Sequence, residues 1–167
     1  MVNIRQLVVL LTVVFSLKAS EIGLLLEVKN NSLFYFSIKN TEHLCVPYAI
    51  VTFEMLLHKS QKNTICHQSL LKYYENFPQD KFFAQGHFHR QQQYILEKKK
   101  GYCIIHAQGK KSYAALLLKK GLAIVPIHFK DKHIEFKYRR IENQAKIEKK
   151  GLWKDPILRN CIRQIEL

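Results

Sequence analysis

Between Ser112 and Trp153 the chain reads SYAALLLKKGLAIVPIHFKDKHIEFKYRRIENQAKIEKKGLW, two helical patterns, each closed by Lys-Lys-Gly, on either side of a short apolar run. Ser112 is of the type that caps a helix start, Leu116 and Leu117 give that helix its apolar side, and Gly121 stops it. Leu122 to Ile127 reads as a short strand. Asp131 caps a long helix over 132–150 that ends at Gly151. In that helix Ile134, Tyr138, Ile141 and Ala145 fall on one face, with Leu152 in phase after it, while Arg139, Lys146 and Lys150 fall on another. Helix, strand and helix in so short a span fit a mixed α+β domain.

Upstream, Leu24 to Val28 and Leu33 to Ile38 read as a hairpin turning at Asn30-Asn31, and Cys45 to Phe53 as a third strand with Pro47 at its edge. Thr64 to Phe77 has helical spacing and ends before Pro78, and Gln79 to Arg90 is irregular. Gln91 to Glu97 and Gly101 to Gln108 predict two strands joined by the Lys98-Lys99-Lys100-Gly101 turn. Five short strands with about three helices fit a small Greek-key barrel of the OB type, and an α+β sandwich fits as well. That domain covers 21–155, leaving 156–167 as a tail that can add a short helix.

Residues 1–20 read as a signal peptide or N-terminal anchor. Arg5 precedes an apolar run from Leu7 to Leu17, short for a membrane span, and Lys18-Ala19-Ser20 restores polarity. The expected location is therefore exported, periplasmic or secreted, with no transmembrane span beyond that segment. All four cysteines lie after it, and an even count in an oxidising compartment favours disulfides. Proximity suggests Cys45–Cys66, and elimination then leaves Cys103–Cys161. No spacing fits a zinc site, so no metal is expected from the cysteines.

The formal net charge is +14, and from Gln91 onward 18 Lys or Arg stand against 7 Asp or Glu. Such an excess attracts nucleic acid or another polyanion through counterion release. Lys98, Lys99 and Lys100, Lys110 and Lys111, and the helical Arg139, Arg140, Lys146 and Lys150 are the expected contacts. Tyr94, Tyr102 and Tyr113 interleave with these lysines, a pattern that single-strand binders use for stacking and that strands use for packing.

The stretch GKKSYAALLLKKGLAIV followed by FKYRRIENQAKIEKKGLW resembles the C-terminal half of the staphylococcal-nuclease-like (thermonuclease) family. The matching residues are Gly121-Leu122-Ala123, then Ala145 and Lys146, then Gly151 and Trp153. The resemblance implies an OB-like barrel and phosphodiester cleavage in which carboxylates hold one calcium, a Glu handles water and two Arg steady the phosphate. Those groups do not carry over. The family's Asp-Gly-Asp-Thr-like turn is Lys29-Asn30-Asn31-Ser32 here. The stretch Val46 to Glu54 holds one carboxylate, Glu54, and no Arg. The Arg expected after Tyr-Gly is absent, since Gly101 lies between Lys100 and Tyr102.

The resulting expectation is a polyanion-binding protein without the usual calcium site, leaning away from an enzyme. No cofactor is expected, calcium entering only if the family site survives in altered form. Two alternatives remain. One is a phosphodiesterase with relocated groups, for which His87, His89, Arg90 and Glu54 are the candidates. The other is a non-enzymatic cell-envelope interaction module.

Overall fold

The computed structural model describes residues 20–109 and 111–166. The leader read over 1–20 lies, apart from Ser20, outside the described residues, as does Lys110. The strands are β1 (Ser20–Val28), β2 (Phe34–Ile38), β3 (Thr41–Cys45), β4 (Val51–Thr52), β5 (Gln93–Lys99), β6 (Tyr102–Gln108), β7 (Lys111–Ser112) and β8 (Ala123–Ile124). The helices are α1 (Phe53–Lys59), α2 (Thr64–Asn76), α3 (Pro78–Lys81), α4 (Tyr113–Lys120), α5 (Lys132–Ile147) and α6 (Pro156–Glu166). Short 3-10 turns occupy Ser60–Lys62 and Gly151–Trp153. None of the helices is long and apolar enough to cross a membrane, among the described residues.

This is an α+β architecture, with more elements than the five strands and three helices expected. One antiparallel sheet has the order β3-β2-β1-β5-β6-β7, and β4 pairs separately with β8. The ladder does not run all the way round. Between β3 and β6 there is one parallel bridge, Pro47 with Cys103, backed by hydrogen bonds from Cys103 N to Val46 O (2.8 Å) and from Tyr48 N to Cys103 O (2.9 Å). Alternation places Phe34, Phe36 and Ile38 of β2 and Tyr94 and Leu96 of β5 in the core. The aromatic rings of Phe34, Phe88 and Tyr113 meet there edge to face.

The expected strand from Cys45 to Phe53 is instead three pieces. Pro47 cannot donate to a ladder, and Ala49 adopts φ 68°. Thr52 then caps α1, its hydroxyl accepting from Met55 N, so Glu54 sits in a helical first turn. Pro78 does not merely end α2; it opens α3 in the first helical turn.

The two Lys-Lys-Gly stops have a common physical reason. Gly121 (φ 77°) ends α4, and Gly151 (φ 51°) follows α5. Their backbones cross in contact: Leu152 N donates to Gly121 O at 2.9 Å. A Cβ on Gly121 would overlap the Lys150 carbonyl, and one on Gly151 would overlap that of Gly121. The crossing lays α5 on α4, burying Tyr138, Ala145, Leu152 and Trp153.

Both expected disulfides are corrected. The bonds are Cys45–Cys103 and Cys66–Cys161, with Cα separations of 5.5 and 5.3 Å. Proximity in sequence misleads because Cys45 closes β3 beside the start of β6, while Cys66 is buried on α2 against α6. The segment 156–167, read as a tail, carries α6, which buries Leu158 and Ile162 and is stapled to α2.

Candidate nucleic-acid interface

A cleft of about 650 Å³ opens where the β1–β2 turn, the Tyr48–Val51 segment, α1, the start of β6 and the segment after β8 converge. Its aromatic wall is Tyr48, with Phe129 at 5.2 Å edge to face and Tyr102 at 6.3 Å. Lys99 Nζ lies 5.8 Å from the Tyr48 ring centre. Tyr102 is 46 % exposed, so one aromatic face meets solvent beside a cation. Asn30, His58 and His128 also line the cleft.

The cleft floor is a closed hydrogen-bond network around Glu54. Its Oε1 accepts from Tyr74 Oη (2.8 Å) and Asn31 N (3.3 Å), and its Oε2 from Ser32 Oγ (2.9 Å). Ser32 Oγ also bonds Thr52 Oγ1. Behind it the buried Asn31 amide donates to Asp80 O and accepts from Ala84 N, at 2.9 and 2.8 Å. One asparagine thereby ties the first hairpin to α3 and the turn after it. Burial, reinforced by the Glu54 charge, pushes the Tyr74 and Tyr113 phenols above their ordinary range.

The residues expected to act on phosphate are dispersed. His87 is stacked on Phe83 (4.1 Å), with its Nδ1 2.9 Å from Phe83 O. His89 is exposed, its backbone N–H donating to Tyr94 Oη, and Arg90 Nε donates to Leu26 O at 2.8 Å. No hydrogen bond or ion pair joins any of the three to Glu54 among the described residues. Nor do three or more His, Cys, Asp or Glu side chains converge as a metal centre among those residues.

The basic residues divide in two. At the β5–β6 turn, Lys98 pairs with Glu21 at 3.0 Å, Lys99 reaches over the Tyr48 ring, and Lys100 is exposed. Lys111 is exposed on β7. On α5, Arg139 donates to Val125 O and Pro126 O (3.0 and 2.6 Å) and to the buried Glu142 (3.3 Å). Lys146 also pairs with Glu142, at 3.1 Å, and lies over the Trp153 ring. Lys150 pairs with Glu148. Of the four expected cations, Arg139 and Lys146 are therefore engaged by the buried Glu142, Lys150 pairs locally beyond the end of α5, and Arg140 is exposed. Of the three interleaved tyrosines, Tyr94 and Tyr113 are core and only Tyr102 reaches the cleft. The sequence reading missed Tyr48 and Phe129; the one available signal was an aromatic-lysine pair just beyond the β8 run.

Residues 81–155 match the family described as staphylococcal nuclease homologue. That segment is staphylococcal-nuclease-like. It runs from the end of α3 through the Gly121–Gly151 crossing, and it holds Tyr102 and Phe129 of the cleft, with the neighbouring Lys99, but not Glu54 or the β1–β2 turn. No curated protein matches the chain.

Proposed function

We propose that the protein is an exported, thermonuclease-like nucleic-acid binder that lacks the calcium nuclease centre. The observation that carries this reading is the cleft: an aromatic wall of Tyr48, Tyr102 and Phe129 with Lys99 beside it, in a nuclease-like segment of a chain with net charge +14. Nucleobases stack on aromatic faces and phosphates pair with lysine, so this wall suits an unpaired strand. The expected OB-like barrel is retained in the proposal as a sheet laced between β3 and β6 by one bridge and the Cys45–Cys103 disulfide. Paired cysteines support export.

The donor set of the cleft does not fit calcium. That ion takes six to eight oxygens, several from carboxylates. Among the described residues Glu54 is the one carboxylate lining this cleft, and both its oxygens already accept hydrogen bonds. Asn30 Oδ1 accepts from Ser32 N and Leu33 N at 2.8 and 3.0 Å.

The test is fluorescence anisotropy with labelled single- and double-stranded DNA across a salt series. Tight binding of the single strand at about 50 mM salt, falling steeply by about 200 mM, is expected. Absence of binding at the low-salt end would leave the interaction-module reading.

A further inference from the structure

A second cavity, of about 280 Å³, lies away from the cleft, between the α2–α3 junction and the Gly151 turn. Asp80 is buried there, its side chain only 6 % exposed. Its Oδ2 accepts from Tyr73 Oη at 2.7 Å. Its Oδ1 has no hydrogen-bond partner; the nearest cation, Lys120 Nζ, stands 3.7 Å off as an ion pair. A buried carboxylate oxygen left without a donor is costly and calls for one. The same cavity is lined by Lys120, Lys150 and Lys154. Lys150 is shared with Glu148, and Lys154 lies 5.6 Å from the Phe77 ring centre.

One ammonium group beside the donor-seeking oxygen, with two further lysines lining the same cavity, matches a tetrahedral oxyanion that carries a proton. We propose that this cavity binds phosphate: the lysines hold its charged oxygens, and Asp80 Oδ1 accepts the hydrogen bond of a P–OH. Sulfate, which has no proton near neutral pH, would present an oxygen to the carboxylate and be rejected. The shared chemistry covers free phosphate and a terminal phosphomonoester on a nucleic-acid strand. The site stands apart from the stacking cleft and does not rest on the function proposed above.

The experiment is calorimetric titration of the full chain with sodium phosphate and, at matched ionic strength, sodium sulfate. Saturable phosphate binding at least about tenfold tighter than sulfate is expected, a difference of about 1.4 kcal/mol. Lys120→Gln and Lys154→Gln, both at exposed positions, should each weaken phosphate about tenfold with an unchanged circular dichroism spectrum. Asp80→Asn, where it folds, should admit sulfate, because the amide offers a donor. Tyr48→Ala should leave phosphate binding intact. A 5′-phosphorylated oligonucleotide that outcompetes its 5′-hydroxyl counterpart near pH 5.5, where a monoester with a second pKa of about 6 keeps its proton, assigns the strand end as the source. Equal competition alongside saturable phosphate binding assigns the free ion. Equal affinities for phosphate and sulfate, or no saturation by about 10 mM phosphate, ten times a weak millimolar Kd, would overturn the site.

Discussion

The Gly121–Gly151 crossing and the floor of the cleft lie in one domain but answer to different constraints. At the crossing two backbones touch, and no side chain fits at either position. At the floor, Glu54, Ser32, Asn31 and Tyr74 satisfy one another through side chains, and that network closes without an ion. Backbone contact admits one residue type; a polar cluster admits any set that completes its hydrogen bonds. The staphylococcal-nuclease-like segment therefore has its closing crossing fixed by backbone contact, while the neighbouring floor tolerates change.

The sharpest way to break this contrast is at the crossing. Gly121→Ala meets both a left-handed φ and the Lys150 carbonyl, and should cost at least about 4 kcal/mol, enough to leave little folded protein in a urea melt. A small effect would mean that the two helices can separate freely, and the crossing would not be the constraint. Next in size is the Cys66–Cys161 staple, which closes a separation of 95 residues. Its removal by Cys66→Ala with Cys161→Ala should cost about 2–5 kcal/mol, and peptide mapping without reductant should recover this pair together with Cys45–Cys103.

The floor should respond differently. Asn31→Ala strands Ala84 N and removes a donor from Asp80 O, so about 1–3 kcal/mol of stability should be lost in thermal melts. The floor also predicts the alkaline limb of stability. Burial raises the Tyr73, Tyr74 and Tyr113 phenols above the ordinary value of 10. The fold thus favours their protonated forms, its stability is complete below pH 10, and it declines above that. The slope should approach about 1.4 kcal/mol per pH unit for each such tyrosine, and Tyr74→Phe should flatten it.

These differences explain what the sequence could disclose. Ser112, Gly121, Asp131 and the Tyr138–Ala145 stripe act through local geometry, and each sits where its spacing placed it. The break of the third strand was half visible in Pro47; the left-handed Ala49 beside it carries no composition signal. The α5 cations look alike in the sequence, yet a single buried Glu142 engages both Arg139 and Lys146. Disulfide partners are set by which strand ends meet, and that is a property of topology. The stacking wall draws Tyr48, Tyr102 and Phe129 from three separate segments, so no local motif announces it.

The smallest structural effect should come with a large functional one. Tyr48→Ala and Phe129→Ala should leave the melting temperature nearly unchanged while each weakens single-stranded DNA by about 1–3 kcal/mol. Lys99→Gln should lower the salt dependence of binding by roughly one phosphate contact, a slope change of about 0.7. Equal losses for single and double strands would move the contact surface away from the aromatic wall.

The proposed function requires that the chain bind a nucleic-acid strand without cutting it in calcium. One incubation tests it directly: a fluorescent single-stranded oligonucleotide with the full chain in low salt and millimolar calcium, read by anisotropy and then on a denaturing gel. A bound, full-length strand is expected, with the same anisotropy after calcium is chelated. Progressive shortening of the strand in calcium, halted by the chelator, would contradict it.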